Sequence, residues 1–267
     1  MAGEEREALA DYQRQRSHRA GEPWLIVESD GSMVRTGELA LDPAGGASPG
    51  GRAKRLRRTH WREVRLSLVA VPGQSPRRRY AAAMGPPQRA GEQMFALALG
   101  SGYGDNTWVH AVGDGAPWIA QQVAAVFPRQ RFLLDRYHLL EHLHQGASAQ
   151  FPADAPAAQH WVSDQTNRIY QGQVALVVAE CRSLAASAGH PLQRLAGYLE
   201  NRHHQLDYAA AQRGGLPLGS GAVEGGHRHV IQARLKLPGA WWKEETVNPM
   251  LALRSLRANQ RWQAFWH

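Results

Sequence analysis

The sequence predicts an α/β domain interrupted by an all-helical insertion. Three observations carry that expectation. Across the first 145 residues, short apolar runs with β-branched members alternate with helical patterns, and two of these runs end in an aspartate followed by a helix start. From 146 to 212 the chain is rich in alanine and helical in period, with no competing strand-like run. With 267 residues and 43% hydrophobic content, there is enough apolar material for one large core.

Taken in order, residues 1–22 are polar and charged and read as a short N-terminal segment outside the core. Residues 23–145 form the sheet part of the core, beginning with the strand Trp24-Leu25-Ile26-Val27, which runs into Glu28-Ser29-Asp30-Gly31. Asp30-Gly31 suits a hairpin corner. Ser32-Met33-Val34 nevertheless continues without an alternating partner close by, which puts Asp30 at a strand end. A turn-rich loop is expected over 39–51, then a second strand over 61–71 and a short third at 79–82. A helix over 91–100 stops at glycine. Residues 107–112 form a strand that ends in Gly113-Asp114-Gly115, with Pro117 opening a helix, as at the start of a βαβ unit. Asp114 is suited to a crevice at the strand end and also to a helix N-cap. Residues 131–134 repeat the pattern and end in Asp135, before the helical stretch that holds His138 and His142.

The insertion spans 146–215, with helices over 166–184 and 192–210, and its Tyr198, His203, His204 and Tyr208 are read as packing residues. Residues 216–267 return to the core through the glycine-rich LGSGAVEGG and close with a helix over 249–266.

Charge narrows the function. Lys+Arg total 31 against 23 acids, a net +8, which favours an anionic partner such as nucleic acid. From Arg52 to Arg79 ten Lys/Arg residues accompany one acid, Glu63, so this segment alone carries more than the net charge of the chain. A face kept only for solubility would mix signs, so Arg52, Lys54, Arg55, Arg57 and Arg58 are candidate phosphate contacts. Arg228, Arg234 and Lys236 extend the basic character beyond Glu224, with Trp241 and Trp242 beside them able to stack on bases or to anchor a core. The single cysteine, Cys181, excludes an internal disulfide and a cysteine-rich zinc finger, and reads as a small buried apolar residue. No apolar run is long enough for a membrane span or signal peptide, so a cytoplasmic protein without membrane contact is expected.

Three isolated acids remain: Asp30, Asp114 and Glu224. Singly, each suits an ordinary turn or helix start. Jointly they suggest a carboxylate site for two Mg²⁺ or Mn²⁺ ions about 3.5–4 Å apart, the arrangement that phosphodiester chemistry uses. His138 and His142, at i and i+4 after Asp135, raise a zinc site as a competing arrangement, although the order lacks a positioned base.

Asp30-Gly31, GDGAPWI at 113–119, LLDRYHLLEHL at 133–143, LGSGAVEGG at 218–226, QARLKLPG at 232–239 and LALRSLRANQRWQAFW at 251–266 together resemble the DDE transposases of bacterial insertion sequences. The nearest likeness is to the ISKra-type group, allied to Mutator-like elements. The resemblance runs from about Trp24 to the C-terminus. It implies a ribonuclease-H-like fold, a mixed five-stranded sheet flanked by helices with an all-helical insertion before the last acid. It also implies a metal triad of Asp30, Asp114 and Glu224, a supporting role for Asp135 and His138, and DNA cleavage followed by strand transfer on paired ends, as a homo-oligomer. Family members usually carry a substantial region before the first aspartate. Only 29 residues precede Asp30 here, so the resemblance implies an N-terminally truncated chain. Two further readings stand beside it: a catalytically silent DNA-binding remnant, which the truncation and the basic segment favour, and a nuclease or resolvase on the same fold.

Overall fold

A computed structural model describes residues 20–41, 55–73, 78–185 and 190–263. Most of the polar N-terminal segment lies outside these residues, as do the loop over 42–51, Arg52 and Lys54. Five strands form one sheet: β1 (Trp24–Leu41), β2 (Arg55–Ala70), β3 (Arg78–Met84), β4 (Trp108–Gly113) and β5 (Gln130–Leu134). Their order is β3-β2-β1-β4-β5, antiparallel across β1, β2 and β3 and parallel across β1, β4 and β5. This mixed sheet, flanked by helices, is the ribonuclease-H-like arrangement that the sequence leads one to expect.

The first strand departs from expectation. It does not end at Asp30 but runs eleven residues further, because β2 pairs with it without a break from Ile26↔Ala70 to Leu41↔Arg55. The second strand is correspondingly longer than 61–71. Gly31 is therefore a strand residue and not a turn tip. A Cβ there would meet Glu63 Oε1 at 2.4 Å, at the end of a side chain that would have to swing aside.

Helices α1 (Pro87–Gly100) and α2 (Pro117–Val126) cover one face of the sheet, around Leu25, Val27, Met94, Val109, Ile119 and Phe127. Each begins with proline in its first turn, where the missing N–H leaves nothing unpaired. The insertion contributes α3 (Arg136–Gln150), α4 (Ala155–Tyr170), α5 (Val174–Leu184), α6 (Pro191–Asn201) and α7 (Tyr208–Arg213), packed against Val112, Leu133 and Leu134. One expected helix, 166–184, is two: Gly172 turns the chain between them at φ +79°. The expected helix over 192–210 is likewise broken after Asn201. Cys181 is fully buried in this layer.

The opposite face of β1 and β2 is closed by α8 (Gly221–His227), a π-helical turn (Arg228–Gln232) and α9 (Glu244–Ala258). Val34, Leu66, Val223, Ile231 and Leu251 form the core there. The last helix starts five residues earlier than expected and stops before Trp262. It also protects the sheet edge. Asn248 and Asn259 each accept a β3 backbone N–H and donate to a β3 carbonyl, at Met84 and Tyr80. No helix of the described residues is long and apolar enough to cross a membrane.

Candidate active site at the carboxyl edge of the sheet

Strand pairing sets where the candidate acids lie. Glu28 is paired with Val112, the last pair between the parallel strands, so Asp30 two residues further along β1 and Asp114 just past the end of β4 lie towards the same end of the sheet. Gly113 is paired with Leu134, so one residue further Asp114 is level with Asp135. Neighbouring strands lie about 4.8 Å apart, which makes the three backbones adjacent. Alternation along β1 puts Glu28 and Asp30 on the face covered by α8.

The glycine-rich LGSGAVEGG segment reaches this edge because two buried carboxylates hold it. Asp135 is 1% exposed. Its Oδ1 caps α3, accepting from the N–H groups of Tyr137 and His138, and its Oδ2 accepts from Ser220 N at 2.5 Å and Ser220 Oγ at 2.6 Å. Glu28 is 2% exposed and its Oε2 accepts from Val223 N at 2.8 Å. Two buried carboxyl groups thus accept N–H groups at the start of α8 that would otherwise go unpaired. Burial pushes the Glu28 carboxyl up to about 7, against the pull of the Val223 N–H and Arg78, with the Asp135 charge adding to the rise.

Glu224 follows in the first turn of α8 and is exposed. Among the described residues its carboxylate makes no hydrogen bond or ion pair. His227, one turn on, is 5% exposed and points Nε2 at Asp30 Oδ2 from 2.9 Å. That contact has ion-pair distance without hydrogen-bond alignment, since Nε2 has no well-angled partner. Asp30 Oδ1 accepts from Gly31 N.

Asp114 precedes α2 without capping it directly: Ala116 is the N-cap, and Asp114 Oδ1 accepts Ala116 N at 2.8 Å. Gly115 takes φ +83°, and a Cβ there would lie 2.7 Å from Leu134 Cδ1. Its carbonyl accepts from Arg202 Nη2, whose guanidinium lies 4.2 Å from the Tyr198 ring centre, and Tyr198 in turn stacks on His142 at 3.9 Å. The loop bearing Asp114 is therefore anchored to α6 and α3 of the insertion. Tyr198 has its hydroxyl raised above the usual range by burial, with Arg202 lowering it and Asp114 raising it further.

Asp135 and His138 part company here. Asp135 spends both oxygens on backbone and on Ser220, so it is a structural acid that joins α3 to the α8 segment. His138 Nδ1 lies 3.3 Å from Glu141 on its own helix. With His142 stacked on Tyr198, the two histidines do not share a ligand position. Among the described residues no group of three or more His, Cys, Asp or Glu side chains is drawn together to hold a metal. Asp30, Asp114 and Glu224 each offer a carboxylate, the type of hard oxygen donor that suits Mg²⁺ or Mn²⁺.

Of the basic candidates, Arg57, Arg58, Arg228, Arg234 and Lys236 are exposed, and Arg55 lies in β2. Arg57 rests over Trp241 and Arg234 over Trp242. Sequence reasoning missed Glu28, His227 and Arg202. Two of them had a legible signal: Glu28 shares strand parity with Asp30, and His227 lies one helical turn from Glu224.

No curated protein matches the chain. A family model described as an uncharacterised protein family, UPF0236, matches residues 99–263, which include Asp114, Asp135 and Glu224 and exclude Asp30. The match covers more than half of the chain, and the protein belongs to the UPF0236 family.

Proposed function

We propose that the protein is the catalytic core of an insertion-sequence transposase, cutting DNA and joining the cut end to a target with Asp30, Asp114 and Glu224 as metal ligands. The observation that supports this reading is the parallel pairing of β1 with β4, which brings Asp30 and Asp114 towards one end of the sheet, where Glu28 and Asp135 hold the start of the Glu224 helix. Motif order along the chain agrees with it. Bound divalent ions would supply the charge that activates the attacking oxygen and stabilises the leaving one. The protein's own groups do the positioning. Asp30 is oriented by Gly31 N and His227, Asp114 by Ala116 N and the anchored Gly115 loop, and Glu224 by a helix fixed at both Ser220 and Val223. The exposed cations of β2 and of the segment after α8 suit the DNA backbone on either side.

Asp114→Asn tests the assignment. Nicking of plasmid DNA in Mg²⁺ or Mn²⁺ is expected to vanish, while salt-sensitive DNA binding persists. Undiminished cleavage by the variant refutes it.

A further inference from the structure

β1 has no β4 pairing beyond Glu28 and β2 has no β3 pairing before Val64, so from Met33↔Glu63 outward β1 and β2 continue as a ribbon. Its even-numbered face is covered: Val34 and Val64 are in the core, and His60 and Arg62 pair with Glu244 of α9. The odd-numbered face is open. Register places Arg35 opposite Trp61, Met33 opposite Glu63 and Leu39 opposite Arg57. Trp61 is 61% exposed, Leu39 50% and Met33 45%.

A third chain segment widens this face. Gly37 N donates to Trp242 O and Trp242 N donates to Arg35 O, so residues 241–242 lie along the β1 edge in parallel. Trp242 turns to the core side, and alternation sends Trp241 to the open side, where the Arg57 guanidinium stands 5.3 Å from its ring centre. A Cβ at Gly37 would meet the Arg58 carbonyl oxygen at 2.4 Å, so the close backbone approach at this register position requires glycine. Arg35 is held upright against Thr59 Oγ1. The outcome is an exposed Trp61, a half-buried Trp241 and the exposed Arg35 and Arg57 on one face, across three adjacent strands about 10 Å wide. Glu63, an acid on the same face, is paired with Arg65.

We infer that this open ribbon face, on the side of β1 opposite Asp30, is a stacking platform for unpaired nucleotides of a DNA strand, an inference that rests on the DNA-cutting reading above. Net positive charge complements the phosphates. The exposed Trp61 ring fits the occupant further: only unpaired bases offer their flat faces, whereas a duplex hides them in its own stack. Arg35 and Arg57 would neutralise phosphates between the stacked bases.

The test is binding, in EDTA so that cleavage plays no part, of a fluorescent single-stranded oligonucleotide and of the matching duplex by the full chain. Trp61→Ala is expected to weaken single-strand binding roughly ten- to a hundredfold, with duplex affinity changed less than about twofold and Trp61→Phe recovering most of the loss. Trp61 is largely exposed, so the substitution leaves the core intact. Unchanged single-strand affinity in Trp61→Ala, equal losses for both DNAs, or no single-strand binding by the parent overturns the inference. A chain that passes this test and never nicks DNA would instead refute the catalytic reading alone.

Discussion

Replacing Glu28 by glutamine should stabilise the protein above neutral pH and change little in mild acid. Glu28 is buried and its carboxyl is raised from 4.5 to about 7. A raised acid binds its proton more tightly in the folded chain than in the unfolded one. Its stabilising protonated form is therefore fully present below the unfolded value and is lost as pH rises through the folded one. At about 1.36 kcal/mol per unit, the shift corresponds to about 3 kcal/mol of stability lost between mild acid and mild base. Glutamine keeps an oxygen to accept from Val223 N and has no charge to bury. Thermal unfolding in EDTA at about pH 5 and pH 8 reads the difference, expected as a gain of roughly 5 °C for Glu28→Gln at the higher pH and close to none at the lower. A variant less stable than the parent at the higher pH, or a gap that does not move with pH, would refute the account of how α8 is held.

Two further outcomes follow from the same architecture. Gly115→Ala should cost at least about 2 kcal/mol and abolish nicking, because it forces a Cβ into Leu134 at a positive-φ position in the loop that bears Asp114; urea unfolding and a plasmid assay measure both, and a stable, active variant contradicts the role given to that loop. Cys181 should resist thiol reagents in the folded chain at about pH 8, since burial pushes its thiol up to about 12; rapid modification without denaturant would contradict its place in the insertion core.

How much was legible depended on whether the signal was local. The strand over 108–113 was readable because Gly113, Gly115 and Pro117 punctuate it in the order a strand-to-helix turn demands. The end of β1 was not. Asp30-Gly31 carries turn chemistry, and what overrides it is pairing with β2, whose partners lie tens of residues away. Asp135 shows the same limit at the site. Its position after a strand matched that of Asp114, yet only the fold brings Ser220 to it and makes it a structural acid. Arg202 lies 87 residues from the carbonyl it holds, and no spacing rule announces such a bond. The platform of Trp61 and Trp241 was equally hidden, because it is assembled from strand register and an edge contact.

The central claim is that the carboxylates at this edge carry out DNA joining. A strand-transfer assay with a pre-cleaved DNA end, target plasmid and Mg²⁺ or Mn²⁺ tests it most directly. The account predicts a joined product that requires the metal and disappears in Glu224→Gln. Hydrolysis without joining would make the protein a nuclease, and joining that survives Glu224→Gln would remove that residue from the site.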